Sequence, residues 1–307
     1  MSSAPPHITV PADASRLPVT LPIIDERVRR GEPLVMITAY DFPSARAAEA
    51  AGVDIVLVGD SGAMTVLGYP STIPVSLDEL LMLARAVRRG LRTPFMVGDL
   101  PFGSYEVSDQ QAIETAMRFV KEAGCDAVKL ERGNENSVAR ARAIVQAGIP
   151  VMGHVGLTPQ TSTALGGYRA QARNTSGAIR IAREALALQE AGCFSLVFEA
   201  IPAAVARELM PLLEIPVIGI GAGAATDGQV LVFHDLLGIR EGRGARFVQR
   251  YADLQDEMVR GITTYAADVR ERRYPAPEHS YSIDEGELAA FRTELHSLAP
   301  PPGRTMC

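Results

Sequence analysis

Cysteine is scarce in this chain. The 307 residues hold three, Cys125, Cys193 and Cys307, an odd and scattered set. That excludes a disulfide framework and a thiolate zinc site and fits a reducing compartment. Positive charge is also short, with 30 Lys and Arg against 36 Asp and Glu and a net charge of −6. A nucleic-acid binder needs a basic face to neutralise phosphates, so that class is set aside. The basic pairs Arg29-Arg30, Arg88-Arg89 and Arg272-Arg273 read as solvated helix faces. No run approaches the roughly 18 uninterrupted apolar residues of a membrane span. Pro5, Pro6, His7 and Asp13 stand where a signal peptide needs an apolar core, so the expected location is cytoplasmic. No His-x3-His, Cys-x2-Cys or His-Glu-x-x-His occurs, and no G-x-G-x-x-G follows the first apolar run.

What is present is regular. Apolar residues make up 47% and charged residues 21%, which excludes a disordered chain. Residues 1–22 are rich in Pro, Ser and Ala and read as a flexible arm, with 281–307 as a tail ending in the loose APPPGRTMC. Residues 23–280 read as one domain. Eight short runs recur: LVMITA (34–39), DIVLVGD (54–60), PFMVGD (94–99), DAVKLE (126–131), PVMGHV (150–155), SLVFEA (195–200), PVIGIG (216–221) and the weaker QVLVFHD (229–235). Their length and content suit strands buried on both faces. The segments between them carry helix punctuation. Ser76–Glu79 and Ser108–Gln111 match the capping box. Gly52, Gly90, Gly124, Gly148 and Gly192 follow helical stretches, as left-handed C-caps do. The junction "Ala-Gly, one or two residues, strand" occurs at 51–56, 123–128, 147–151 and 191–196. Eight strand–helix alternations predict an α/β fold, a (β/α)8 TIM barrel, with one further long helix over 246–273.

Barrel enzymes place their chemistry at the C-terminal ends of the strands. Asp60 (with Ser61 after it), Asp99, Lys129, Glu131, His154 and Glu199 end five consecutive runs. Alternation puts Lys129 and Glu131 on one face and Val128 and Leu130 on the other; it also pairs Val97 with Asp99 and Val58 with Asp60. Oxygen-only donors suit a hard divalent ion such as Mg2+, expected on Asp60 and Asp99 with Glu131 nearby. Such a site takes a 2-oxo acid through its carboxylate and keto oxygens, and Glu199 is the free candidate base. Each residue also has an ordinary reading: Asp60 and Asp99 as helix caps, Lys129 and Glu131 as a mutual ion pair, His154 as a structural histidine, Glu199 as a cap. The glycines of IGIGAG (218–223) either cradle a phosphate or permit close backbone packing, the second being preferred. Tyr40, Phe42, Phe102 and Tyr105 wall either a pocket or the core.

The strings MITAYD (36–41), LVGDS (57–61), TIPVSLDEL (72–80), GDLPFGSY (98–105), AVKLE (127–131), VMGHVGLTPQ (151–160), LGGYRAQAR (165–173), IPVIGIGAG (215–223) and DGQVLVFHD (227–235) are collinear. In this order they resemble the ketopantoate hydroxymethyltransferase (3-methyl-2-oxobutanoate hydroxymethyltransferase) family over roughly residues 20–280. The resemblance implies a (β/α)8 barrel. It also implies transfer of a hydroxymethyl group from 5,10-methylenetetrahydrofolate, the cosubstrate, to 3-methyl-2-oxobutanoate through a Mg-stabilised enolate. The product is 2-dehydropantoate for pantothenate biosynthesis. It further implies Asp60 and Asp99 as Mg2+ ligands, Glu131 at the metal shell, Ser61 and Lys129 on the substrate carboxylate, Glu199 as base and His154 in the pocket. The partners implied are a small 2-oxo acid and a folate, with no nucleic acid and no membrane, in a homo-oligomer, usually a decamer. This chain departs from the family's usual glycines at Arg132 and Ala172, and from its usual Ser-Val-Asn at Thr161, Ser162 and Thr163. Those departures are expected on loops at the mouth. Two other readings compete: a metal-dependent 2-oxo-acid lyase or mutase of the isocitrate lyase type, and a non-catalytic barrel scaffold. The first lacks its Lys-Lys-Cys-Gly-His-type loop here, and the second predicts eroded strand ends.

Overall fold

The computed structural model describes residues 16–161, 170–240, 242, 244–296 and 298. Eight strands follow the eight apolar runs: β1 (Leu34–Thr38), β2 (Ile55–Val58), β3 (Phe95–Asp99), β4 (Ala127–Lys129), β5 (Val151–Gly156), β6 (Ser195–Glu199), β7 (Val217–Ile220) and β8 (Gly228–Leu231). Each pairs in parallel with the next, and β8 returns to β1, closing the barrel. The expected (β/α)8 fold is therefore present. The weak eighth run forms a strand, while its His234-Asp235 end belongs to the short helix Phe233–Leu236.

Two hydrophobic layers follow from strand alternation. Leu34, Met36, Ile55, Leu57, Phe95, Val97, Met152, Val197, Ile218 and Val230 fill the barrel interior. Val56, Val58, Met96, Val128, Leu130, Val151, Leu196 and Phe198 face outward against the helices. Burial on both faces is why these runs are apolar throughout. One pairing from the sequence fails here. Val58 faces the helices, and Asp60 reaches the interior because β2 ends at Val58 and the chain turns at Gly59, breaking the period of two.

The repeated Ala-Gly junction has a physical meaning. Gly52, Gly124, Gly148 and Gly192 all sit at positive φ, between 66° and 93°. After two of them an aspartate caps the neighbouring strand: Asp54 accepts from the Val35 amide at 2.9 Å and Asp126 from Met96 at 2.8 Å. Asp227 does the same for Val217 at 2.8 Å. Gly90 differs; it is the last residue of the helix Leu77–Gly90, and an added Cβ would meet the Ala45 Cβ at 2.6 Å. The Ser76–Glu79 capping box forms. The second box is half formed: Ser108 caps the Gln111 amide, but the Gln111 side chain accepts from Val107 instead.

The ends of the chain correct the sequence reading. Residues 16–22 are not a loose arm. Arg16 pairs with Asp54, the Val19 amide donates to the Thr93 carbonyl at 2.7 Å, and a helix starts at Leu21. Residues up to Asp253 form one compact unit and those from Leu254 another. The long C-terminal helix runs from Leu254 to Arg270, later than expected, because residues 246–253 are irregular. The 281–307 tail contains the helix Glu285–Leu295, and its end at 299–307 lies outside the described residues.

Glu49 ties the helix Phe42–Ala51 to the approach of β3. It accepts from the Arg92 amide at 2.7 Å, the Thr93 amide at 3.1 Å and the Thr93 hydroxyl at 2.8 Å. Burial alone would raise its pKa, but these donors and Arg46 outweigh burial and lower it. The stabilisation is therefore full above the ordinary carboxylate range and lost as pH falls through the folded value. Glu49→Ala is expected to cost about 2 kcal/mol at neutral pH, less in acid, in urea melts across pH.

Arg132 and Ala172 lie at φ 72° and 55°, in the left-handed region that favours glycine. Both are positions where the resemblance leads one to expect glycine, and the backbone explains that preference. Arg132 also buries its Nε with no hydrogen-bond partner. Arg132→Gly should raise stability by about 0.5–1 kcal/mol in denaturant melts, relief of the left-handed strain exceeding glycine's entropy cost. Ala172→Gly should gain less, because the alanine methyl is buried.

Candidate active site

The strand ends converge on one cavity of about 500 Å3 at the C-terminal mouth of the barrel. Asp60, Ser61, Asp99, Lys129, Glu131, His154 and Glu199 all line it. The register explains the convergence: Asp99 is opposite Lys129 across β3 and β4, and Gly156 is opposite Glu199 across β5 and β6. Asp60, Asp99, Lys129, Glu131 and His154 are each 4% exposed or less.

Charges so deeply buried must compensate one another. Lys129 Nζ lies 2.8 Å from Asp99 Oδ1 and 3.9 Å from Glu131 Oε1. The principal partner of Lys129 is thus Asp99, not Glu131. His154 stands between two acids, its Nδ1 3.5 Å from Glu131 and its Nε2 3.3 Å from Glu199. Burial and Lys129 push its pKa down, but the two carboxylates outweigh them and raise it to about 9. Both carboxylates lie within ion-pair distance of the ring, Nδ1 also sits 3.5 Å from Lys129 Nζ, and Nε2 is buried without a hydrogen-bond partner. Burial would lower the Lys129 pKa, but Asp99, Glu131 and Asp60 hold it up. Asp60 is raised well above the usual carboxylate range by burial and by Asp99 and Glu131. Burial, opposed chiefly by Lys129, also raises Asp99.

The cap readings fail. The Asp60 carboxylate caps no helix, accepting from Gln160 Nε2 at 3.0 Å, while Asp99 accepts from the Asp60 amide at 3.0 Å. Glu199 ends β6, and Pro202 precedes the next helix. Ser61 Oγ bonds the Tyr40 hydroxyl at 2.8 Å; burial of Tyr40 pushes its phenol up to about 12. Tyr40 and Tyr105 are core, whereas Phe42 and Phe102 are exposed.

Gln160 was missed in the sequence, although it ends the string VMGHVGLTPQ. It is buried, donates to Asp60 and to the Leu100 carbonyl at 2.9 Å, accepts from Tyr105 at 2.7 Å, and gives its amide to Glu131 at 3.0 Å. One residue thereby locks the ends of β2, β3 and β4, through its side chain and its backbone amide. A glutamine carries no charge to mark it, and its partners are scattered over a hundred residues of sequence. The glycine-rich turn serves packing, as preferred: an added Cβ at Gly221 would meet the Phe247 ring at 2.6 Å. Arg132, Thr161 and Ala172 do not line the cavity. Arg132 lies three residues past the end of β4 with its backbone in the left-handed region, outside the strand's alternation. Ser162 and Thr163 lie outside the described residues.

Among the described residues no three His, Cys, Asp or Glu side chains converge as a metal-holding group. Glu131 is engaged by His154, Lys129 and the Gln160 amide, as Asp99 is by Lys129 and Asp60 by Gln160. Asp60 and Asp99 form an adjacent oxygen pair whose mutual repulsion a divalent cation would relieve. Also among the described residues, no helix is long and apolar enough to cross a membrane.

By fold, the chain is similar to phosphonopyruvate hydrolase, solved in complex with oxalate and Mg++, at a TM-score of 0.56 and 12% identity, covering 91% of this chain and 97% of that one. It is similar to 2,3-dimethylmalate lyase, a PEP mutase/isocitrate lyase superfamily member, at 0.53 and 14%, covering 90% and 98%. By sequence, it is 49% identical to the mitochondrial 3-methyl-2-oxobutanoate hydroxymethyltransferase 1 of Arabidopsis thaliana, over 91% of this chain and 82% of that protein. It is also 49% identical to the 3-methyl-2-oxobutanoate hydroxymethyltransferase of Moorella thermoacetica, over 87% and 99%. The sequence model described as Ketopantoate hydroxymethyltransferase matches residues 18–277. The chain belongs to the ketopantoate hydroxymethyltransferase family.

Proposed function

We propose that this chain transfers a hydroxymethyl group from 5,10-methylenetetrahydrofolate to 3-methyl-2-oxobutanoate, giving 2-dehydropantoate. The observation that supports it most is the single cavity in which Asp60, Asp99, Lys129, His154 and Glu199 meet. On the cavity floor three buried acids, Asp60, Asp99 and Glu131, and the half-buried Glu199 face two basic side chains, Lys129 and His154, an imbalance that suits a divalent cation and an oxygen-rich substrate. Asp60 and Asp99 would hold Mg2+, which as a hard Lewis acid supplies polarisation of the keto oxygen. Glu131 would stand at the metal's shell beside them, against His154 and Lys129.

The chain's own residues divide the work. Ser61 and the free donors of Lys129 receive the substrate carboxylate. Glu199 takes the C3 proton, and the C–H electron pair moves into the C2–C3 bond. His154, placed between Glu131 and Glu199, stands with Nε2 3.3 Å from Glu199 and would position that carboxylate once the substrate is bound. C3 then bonds to the one-carbon unit, which leaves the folate as water supplies the hydroxyl oxygen. Apolar walls, including Leu157, Val197 and Ile220, keep other water from the enolate.

Assembly as a homo-oligomer, a decamer by the resemblance, belongs to the same proposal. The helix Leu254–Arg270 supports it, leaving Met258, Ile262, Tyr265 and Val269 exposed along one stripe. A cytoplasmic setting is supported by two buried free thiols, Cys125 and Cys193.

Exchange of the C3 proton of 3-methyl-2-oxobutanoate in D2O, followed by NMR, tests the reading. Wild type should exchange it with Mg2+ and without folate. Glu199→Gln should slow exchange by about 10²–10⁴-fold, the usual contribution of a general base. Exchange within about threefold of wild type in that variant would remove Glu199 as the base.

Lys129→Met should weaken 2-oxo-acid binding roughly tenfold or more, the scale of a charge-assisted hydrogen bond. Asp60→Asn should raise the Mg2+ concentration needed for exchange. Titration of both variants checks these outcomes, and an unchanged Mg2+ requirement counts against Asp60 as a ligand.

A further inference from the structure

The cavity changes character from floor to rim. Its floor is the buried acidic cluster. Its girdle is apolar, with Leu57, Leu157, Val197, Ile220, Val230 and Phe247. Two guanidinium groups, Arg240 and Arg246, line the same cavity at its exposed edge. A small 2-oxo acid on the floor leaves both arginines unexplained.

Arg240 is held by an ion pair, and the backbone that carries Arg246 is fixed on both sides. Arg240 Nη1 lies 2.5 Å from Asp235 Oδ1, and Asp235 itself lines the cavity. One carboxylate contact leaves most of the five guanidinium donors free. Arg246 precedes Phe247, whose ring packs against the barrel-interior cluster and over Gly221. Gly221 sits at φ 66°, and any side chain there would displace that ring. A turn from the Ala245 carbonyl to the Val248 amide, 2.9 Å, fixes the segment on the other side. Among the described residues no carboxylate pairs with Arg246.

We propose that Arg246, assisted by Arg240, receives the glutamate carboxylates of the folate cosubstrate, and so determines donor specificity. The inference rests on the hydroxymethyl-transfer reading above. Guanidinium groups match carboxylates in a two-pronged geometry that an ammonium does not. The flat pterin fits an apolar girdle, leaving its reactive carbon facing the floor and its anionic tail at the rim. The chain's net charge of −6 repels an anionic donor, so local positive charge at the entrance assists capture as well as binding.

The test compares two donors in Arg246→Gln, Arg246→Lys and wild type: 5,10-methylenetetrahydrofolate, and the tetrahydropteroate analogue that lacks glutamate. Arg246→Gln should raise KM for the full donor roughly tenfold with a smaller effect on kcat, and leave KM for the tail-less donor unchanged. Arg246→Lys should recover part of the loss. Wild type itself should bind the tail-less donor roughly tenfold more weakly. Proton exchange at C3 without folate reports an intact floor in each variant. Normal exchange with no change in KM, or with equal changes for both donors, overturns the inference alone. A wild type that does not discriminate between the donors overturns it even if Arg246→Gln fails to fold. Absence of C3 exchange in wild type with Mg2+ defeats the transfer reading itself, and this inference with it.

Discussion

The buried charge cluster constrains everything else at the mouth of the barrel. Five ionisable side chains lie there almost without solvent. Such groups are tolerated only when paired and hydrogen-bonded. Lys129 lies against Asp99, His154 bridges Glu131 and Glu199, and Gln160 closes the remaining gap between Asp60 and Glu131. Each acid restrains a base or amide on a neighbouring strand. The cluster therefore fixes the geometry of five strand ends, while the closed parallel sheet holds those ends in register. Removing one partner leaves the others buried and unpaired, so charge and scaffold cannot vary independently.

This dependence shows why the sequence was legible where it was. The eight apolar runs mark the strands because a parallel barrel buries both faces of each one. Asp99, Lys129 and Glu199 were legible because they end those runs in phase with the interior. Glu131 was also in phase, and its partners are His154, Lys129 and the Gln160 amide. Asp60 was found for a partly wrong reason, since the alternation that paired it with Val58 had already broken at Gly59. Gln160 was not legible as a site residue, because a neutral group that joins three strand ends leaves no mark in local patterning. The short arm at 16–22 was misread because composition hides the ion pairs of Arg16 with Asp54.

Arg132 and Ala172 show a different boundary of sequence reasoning. Both stand out as losses of an expected glycine, and their position beside site strings suggested altered specificity. The backbone gives a simpler account: both positions need positive φ, where glycine is the least strained residue. Neither side chain lines the cavity. Their consequence therefore falls on stability.

The fold alone does not choose among reactions, since phosphonopyruvate hydrolase and 2,3-dimethylmalate lyase share the barrel at only 12% and 14% identity. The choice rests on what the strand ends carry. A lyase of the isocitrate lyase type was expected to need a cysteine in its catalytic loop. Here Cys125 and Cys193 lie just before β4 and β6, at the end of the strands away from the mouth, packed in the outer layer. Burial pushes both thiols up to about 12, so neither is an accessible acid or nucleophile near neutral pH. Among the described residues the cavity instead offers a carboxylate, Glu199, beside the His154 imidazole, and no thiol. That pairing suits reversible removal of a proton next to a keto group, the step from which carbon–carbon bond formation proceeds.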